Sequence, residues 1–164
     1  MTTPTAASAY ELVMALHIMA VVIAFGWVFA LPVVFAVAVK SDPRSLPLLH
    51  RIEVVVFRWM LNPALVVILG AGIFLASDGH HWKQFFVQWG IGVVIVLGGL
   101  VGAVLMPASK RAESAVRTDL AQFSGDGEFQ PGPEYQAIIR RLNIVGSAAS
   151  LLVLVTIAFM VTKP

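Results

Sequence analysis

"ALHIMAVVIAFGWVFALPVVFAVAVK" (Ala15–Lys40) decides how the chain is read. It is apolar from end to end until Lys40, except for one imidazole, His17. About 20 such residues cross the roughly 30 Å hydrocarbon layer of a bilayer as an α-helix. Extended to its apolar limits, the segment runs from about Tyr10 to Val39. Three further stretches have the same character: about Val54–Ala76, with Arg58 inside it, Phe85–Met106 and Ile144–Val161. Backbone in lipid has no water to bond, so each span must close its own hydrogen bonds as a helix. A membrane barrel would instead show short alternating segments.

The expectation is an all-α integral membrane protein. It has four transmembrane helices (about 10–39, 54–76, 85–106 and 144–161) and a connector at about 107–140, in one domain covering 1–164. Composition agrees. Of the residues, 59% are hydrophobic and 12% charged, where a soluble domain carries about a quarter charged. Cysteine is absent, which removes disulfides and thiolate metal sites. The formal net charge is only +2 and the basic residues are not gathered in a soluble domain, so nothing points to nucleic acid. "MTTPTAASAYE" has no basic leader, so the first helix is expected to be retained rather than cleaved.

Lys and Arg set the expected orientation. Lys40, Arg44, Arg51, Arg58, Lys110, Arg111, Arg117, Arg140 and Arg141 fall on the side of the first and third loops. Only Lys83 and Lys163 fall on the other. The basic loops should face the cytoplasm of a bacterial inner membrane. Both termini and "SDGHHWKQ" (Ser77–Gln84) should then lie outside. In "PASKRAESAVRTDLAQF" (Pro107–Phe123), Ala108, Ala112, Ala115, Val116 and Leu120 recur at helical spacing. The third helix is therefore expected to run on past the membrane, or a surface helix to follow it. "SGDGEFQPGP" (Ser124–Pro133) should break it.

The candidate site residues are few. His17 is placed near the outer rim, where His80 and His81 arrive from the second loop and Met14 sits at the same level. Neutral imidazole ligates haem iron and copper, and thioether suits Cu(I). The three histidines fit a b-type haem, or a copper site completed by Met14, or simply polar residues at the interface. Arg58 lies two turns from Arg51 on one helix face. It either grips a carboxylate such as a haem propionate or snorkels with Arg51 to lipid phosphate. His50 and Glu53 read as a local pair at the helix end. Gly98 and Gly102 have the spacing of close helix contacts, within the chain, in a homodimer or with another membrane protein. Pro32 is expected to kink the first helix. No carboxylate pair lies inside the spans, and whether the chain is an enzyme stays open.

The chain also resembles the bacterial four-helix membrane family called domain of unknown function 2269. The resemblance rests on "LH" (Leu16, His17), "NPALVVILGAGIFLA" (Asn62–Ala76), Trp82, "PGPEYQAIIRR" (Pro131–Arg141) and "MVTKP" (Met160–Pro164). That family is similar to the membrane-bound haem-containing protoporphyrinogen oxidases and to the copper-resistance D membrane domains. "FGWVFALP" (Phe25–Pro32) resembles the oxidases' first helix. The resemblance implies haem binding at the helix-one histidine, here His17. Where the oxidases place a lysine soon after the tryptophan opening helix three, Lys83 stands directly beside Trp82. Where they have a later histidine, this chain reads "VLGGLVG" (Val96–Gly102). Three readings remain open: a haem protein for electron transfer or haem handling, a copper-handling protein, and a non-catalytic subunit of a larger membrane complex.

Overall fold

The computed structural model describes residues 8–124 and 127–163. The opening "MTTPTAA", the Gly125–Asp126 part of the expected helix break and Pro164 lie outside the described residues. Four long helices account for the fold: α1 (Ala9–Ser41), α2 (Pro43–Asp78), α3 (Phe85–Gln122) and α4 (Pro133–Thr162). Among the described residues there is no strand. Each apolar stretch lies inside a longer helix. α2 begins 11 residues before Val54, and α3 carries on through Pro107 to Gln122. The helices outrun the apolar runs because charge ends a hydrophobic span but does not end a helix.

Local chemistry sets the ends. Ser8 and Glu11 form a reciprocal cap on α1: the Glu11 N–H donates to Ser8 Oγ at 3.2 Å and the Ser8 N–H to Glu11 Oε2 at 2.9 Å. α1 stops at Asp42, whose carboxylate accepts the Arg44 N–H at 3.2 Å as Pro43 opens α2. α4 takes its first cap from another helix. Asp119 of α3 accepts the Gly132 N–H at 2.8 Å, and a Cβ on residue 132 would stand 2.9 Å from that carboxylate.

Pro32, Pro63 and Pro107 sit deep inside helices, and the last two distort the turn before. A ring nitrogen cannot donate, and the ring collides with the carbonyl four residues back. Phe57–Leu61, ahead of Pro63, and Val101–Leu105, ahead of Pro107, relax into single π-turns. The Asn62 N–H then reaches Phe57 O, and the Met106 N–H reaches Val101 O. α1 runs on through Pro32 without a wide turn.

The helices pack in chain order, α1 on α2, α2 on α3 and α3 on α4, while α1 and α4 barely touch. α2 is central: 39% of its most apolar window is buried, against 6% for α4. The outward faces carry Val22, Val66, Ile95 and Leu151 in the open. An apolar surface of that extent needs lipid to cover it. At one end of the bundle, Ala38, Leu46, Ala112, Ala115, Val116, Phe129 and Tyr135 form a core beyond the apolar spans. We call this the basic end. At the other end, Trp89 Nε1–H donates to Thr156 Oγ1 at 3.1 Å and Phe85, Trp89 and Phe159 pack together. Gly90 makes room there for the Met160 methyl.

Asp119→Ala removes the cap that α3 gives α4. It is expected to cost about 1 kcal/mol, seen as a lower melting temperature in detergent, with Asp119→Asn retaining most of it.

A buried Glu–His–Tyr chain at the base of a lateral cleft

α2 places His50 and Glu53 one turn apart on its inner face, and α4 brings Tyr135 in on its first turn. His50 Nδ1 lies 3.1 Å from Glu53 Oε2, and His50 Nε2 lies 3.1 Å from the Tyr135 hydroxyl. All three are buried, His50 to 1% exposure. A carboxylate only accepts, so with Glu53 ionised the imidazole proton stands on Nδ1 and the phenol donates to Nε2. The bonds run in one direction, from Tyr135 through His50 to Glu53. Phe35 of α1 holds the imidazole from the side, with ring centroids 4.7 Å apart.

This chain forms the floor of a cleft of about 800 Å³ between α1 and α4. Phe25, Phe29, Leu31 and Phe35 line it from α1, and Phe57, Leu61, Val101 and Leu105 from the two π-turns. α4 contributes Asn143, Ser147 and Ser150 at helical spacing, a polar strip facing an otherwise apolar wall. Phe29 and Leu151, which line the cleft, are also exposed. The cleft therefore opens sideways, within the apolar belt.

The residues singled out in the sequence go elsewhere. His17 packs against α2 where Gly72 leaves room: a Cβ at residue 72 would lie 3.6 Å from His17 Cε1. Its Nδ1 is buried and has no hydrogen-bond partner among the described residues. The Ile68 carbonyl lies beside the ring but outside hydrogen-bond geometry. His17 does not line the cleft. His80 and His81 belong to the end of α2. His80 takes φ 55°, its Nδ1 lies 3.1 Å from Asp78 O, and the His81 N–H donates to Ala76 O at 2.9 Å. Gly72, the level of His17, is about 9 Å along the axis from Asp78, so the structure does not bring the three imidazoles together. Met14 is half-buried on α1. Among the described residues no three His, Cys, Asp or Glu side chains gather closely enough to hold a metal ion.

Arg58 is exposed on the first π-turn, 5.8 Å over the Trp59 ring, and no described carboxylate pairs with it. A Cβ on Gly98 or Gly102 would meet nothing within 4 Å. The close approaches are at Gly72 and Gly90 instead. A family model matches residues 11–164. The chain belongs to the family described as "Predicted integral membrane protein (DUF2269)". No curated protein and no solved structure matches it. In this family member the matched residues take in the whole cleft and its floor.

Sequence reasoning left His50 and Glu53 as a local pair and did not connect Tyr135 to them. Their i, i+3 spacing was the available signal. The partner 85 residues away was not visible. His50→Leu strands the Glu53 carboxylate and should cost about 3 kcal/mol. The double variant His50→Leu, Glu53→Leu should recover most of that loss. Melting temperatures in one detergent check both, and a double variant no more stable than the single would contradict this account.

Proposed function

We propose that this protein binds one lipophilic molecule, admitted from the bilayer between α1 and α4, with its polar head on the Tyr135 end of the buried chain. The cleft itself carries the reading. At about 800 Å³ it is within the size range of small-molecule sites. Apart from the strip on α4 its walls are apolar, and Lys40, His50, Glu53 and Tyr135 gather at one end, the pattern of an amphipathic ligand. In lipid its mouth needs no water-exposed route. The head would lie at the basic end. By the distribution of Lys and Arg, that end faces the cytoplasm of a bacterial inner membrane and both termini face out.

Gly146 lines the cleft, and a Cβ there meets nothing within 4 Å. Gly146→Trp should therefore fill the cleft without breaking the bundle. Native mass spectrometry of the mildly extracted protein should show a retained lipophilic molecule that this variant lacks. The same retained molecules in both would sink the reading.

A haem ligated by His17 is the second reading. Its support is the buried, unpartnered Nδ1. An absorption spectrum of the same preparation separates the two: a Soret band lost in His17→Ala belongs to haem, and the cleft reading expects none. Copper at His17, His80, His81 and Met14 would require the two loop histidines to leave the end of α2.

The chain has no cysteine, so orientation can be read with single introduced thiols. A membrane-impermeant maleimide applied to intact cells should label Lys83→Cys and spare Arg44→Cys. The reverse pattern would place the cleft floor outside.

A further inference from the structure

We infer that the outward face of α2 at the basic end holds one anionic phospholipid, with its phosphate on Arg51 and Arg58. This face is separate from the cleft, which Arg51, Arg58 and Trp59 do not line. Three observations carry the inference. The first is position. Arg51, Val55, Arg58, Trp59 and Val66 are all exposed and recur along α2 at helical spacing, so they form one outward stripe. Arg58 lies about 10 Å further along the axis than Arg51, inside the apolar span. Side chains of a helix tilt toward its N-terminus, and α2 starts at the basic end. Arg58 therefore leans back toward Arg51 and the head-group level.

Charge is the second observation. The ion pairs among the described residues are His50–Glu53 and Arg117–Glu113, and neither involves this stripe. Glu53, the carboxylate nearest in sequence to both arginines, is buried with His50 on the inner face. An unpaired cation among lipid tails is costly. The anions that a bilayer supplies at this face are its phosphates. A guanidinium only donates, and its planar fork matches phosphate oxygens two at a time. The Arg58 guanidinium stands 5.8 Å over the Trp59 ring, which steadies it from the side. The Trp59 indole N–H adds another group that only donates.

The third observation concerns the rest of the head. The polar side chains of the stripe are donors, so they take phosphate oxygens and offer nothing to an ammonium. A choline or ethanolamine head brings a cation of its own, and no described carboxylate on this stripe would receive it. A glycerol head brings none, so the phospholipid that fits has the chemistry of phosphatidylglycerol. Beyond the arginines, Trp59 and Val66 give its acyl chain an exposed apolar surface.

The test places the full chain in nanodiscs of equal parts phosphatidylglycerol and phosphatidylcholine and counts the lipids retained on release by native mass spectrometry. Phosphatidylglycerol should be retained in preference. Arg58→Gln changes an exposed side chain and should lower that preference about fivefold, the worth of one surface cation. Arg58→Lys should keep part of it. Arg141→Gln, an exposed cation of the same end on α4, should leave it unchanged. Melting temperatures in detergent give a second reading: added phosphatidylglycerol should protect the wild type more than phosphatidylcholine does, and Arg58→Gln should erase the difference. Equal retention of the two lipids would overturn the inference. So would equal losses from Arg58→Gln and Arg141→Gln, which would reduce the preference to the overall charge of the basic end. A membrane protein co-extracted with the wild type and lost from Arg58→Gln, with the lipids unchanged, would overturn it too and give the face to a partner's carboxylate.

Discussion

The hydrogen bond between His50 and Tyr135 sets where α4 stands relative to α2, and the cleft depends on that position. Between helices in lipid there is no hydrophobic driving force, because the tails outside are as apolar as the side chains inside. What fixes the arrangement is close approach at small residues and a few polar ties. α4 has three such ties. Asp119 and His50 hold its beginning, and Trp89 holds Thr156 near its end. Between them Ala149 and Val153 pack on Val93 and Leu97 of α3. Every one of these contacts draws α4 toward α2 and α3. α1 reaches these clusters only through Phe25 and, at the basic end, Phe35 and Ala38, and a gap between α1 and α4 is left.

The same gap is shaped by the prolines. Pro63 and Pro107 force a wide turn into α2 and α3, and both turns fall in the core cluster that holds Phe57, Leu61, Val101, Leu105 and Met106. A π-turn inserts an extra residue and swings the following side chains around the axis. The turns themselves carry Phe57, Leu61, Val101 and Leu105, which back the cleft. The distortion is local, because each helix regains its regular bonds within a turn.

Most of the fold was legible in the sequence. Four apolar runs of spanning length admit few alternatives once the backbone must satisfy itself, and the amphipathic spacing after Pro107 announced the extension of α3. The site was much less legible. Period and spacing report which residues share a face, not which faces meet. Gly98 and Gly102 have the familiar spacing, yet a Cβ on either would meet nothing within 4 Å, whereas Gly72 and Gly90 make room for His17 and Met160. His17 stood out because an imidazole is conspicuous among Val, Ile and Ala. His50 stood out less, because it lies beside charged neighbours at a helix end where a histidine is ordinary. Its burial comes from Tyr135 on the first turn of α4 and Phe35 of α1, which close over the ring.

That burial is what separates the Glu53–His50–Tyr135 chain from a packing device. Taking a carboxylate out of water is costly, and a paired replacement by apolar residues of similar size is commonly neutral or stabilising. The surroundings here are well suited to such a replacement: Phe35, Leu46 and Val116 already pack the same region closely. Stability alone would not require polar residues at these positions. A connected polar chain also specifies geometry in a way that leucine does not, since its bonds are directional. In this molecule the chain of bonds begins at a phenol that lines a cleft with aromatic walls, at the level where the apolar belt gives way to the basic end. Besides tying α4 to α2, that polar terminus also lines the cleft. It is well placed to meet the head of a molecule whose tail remains among the lipids.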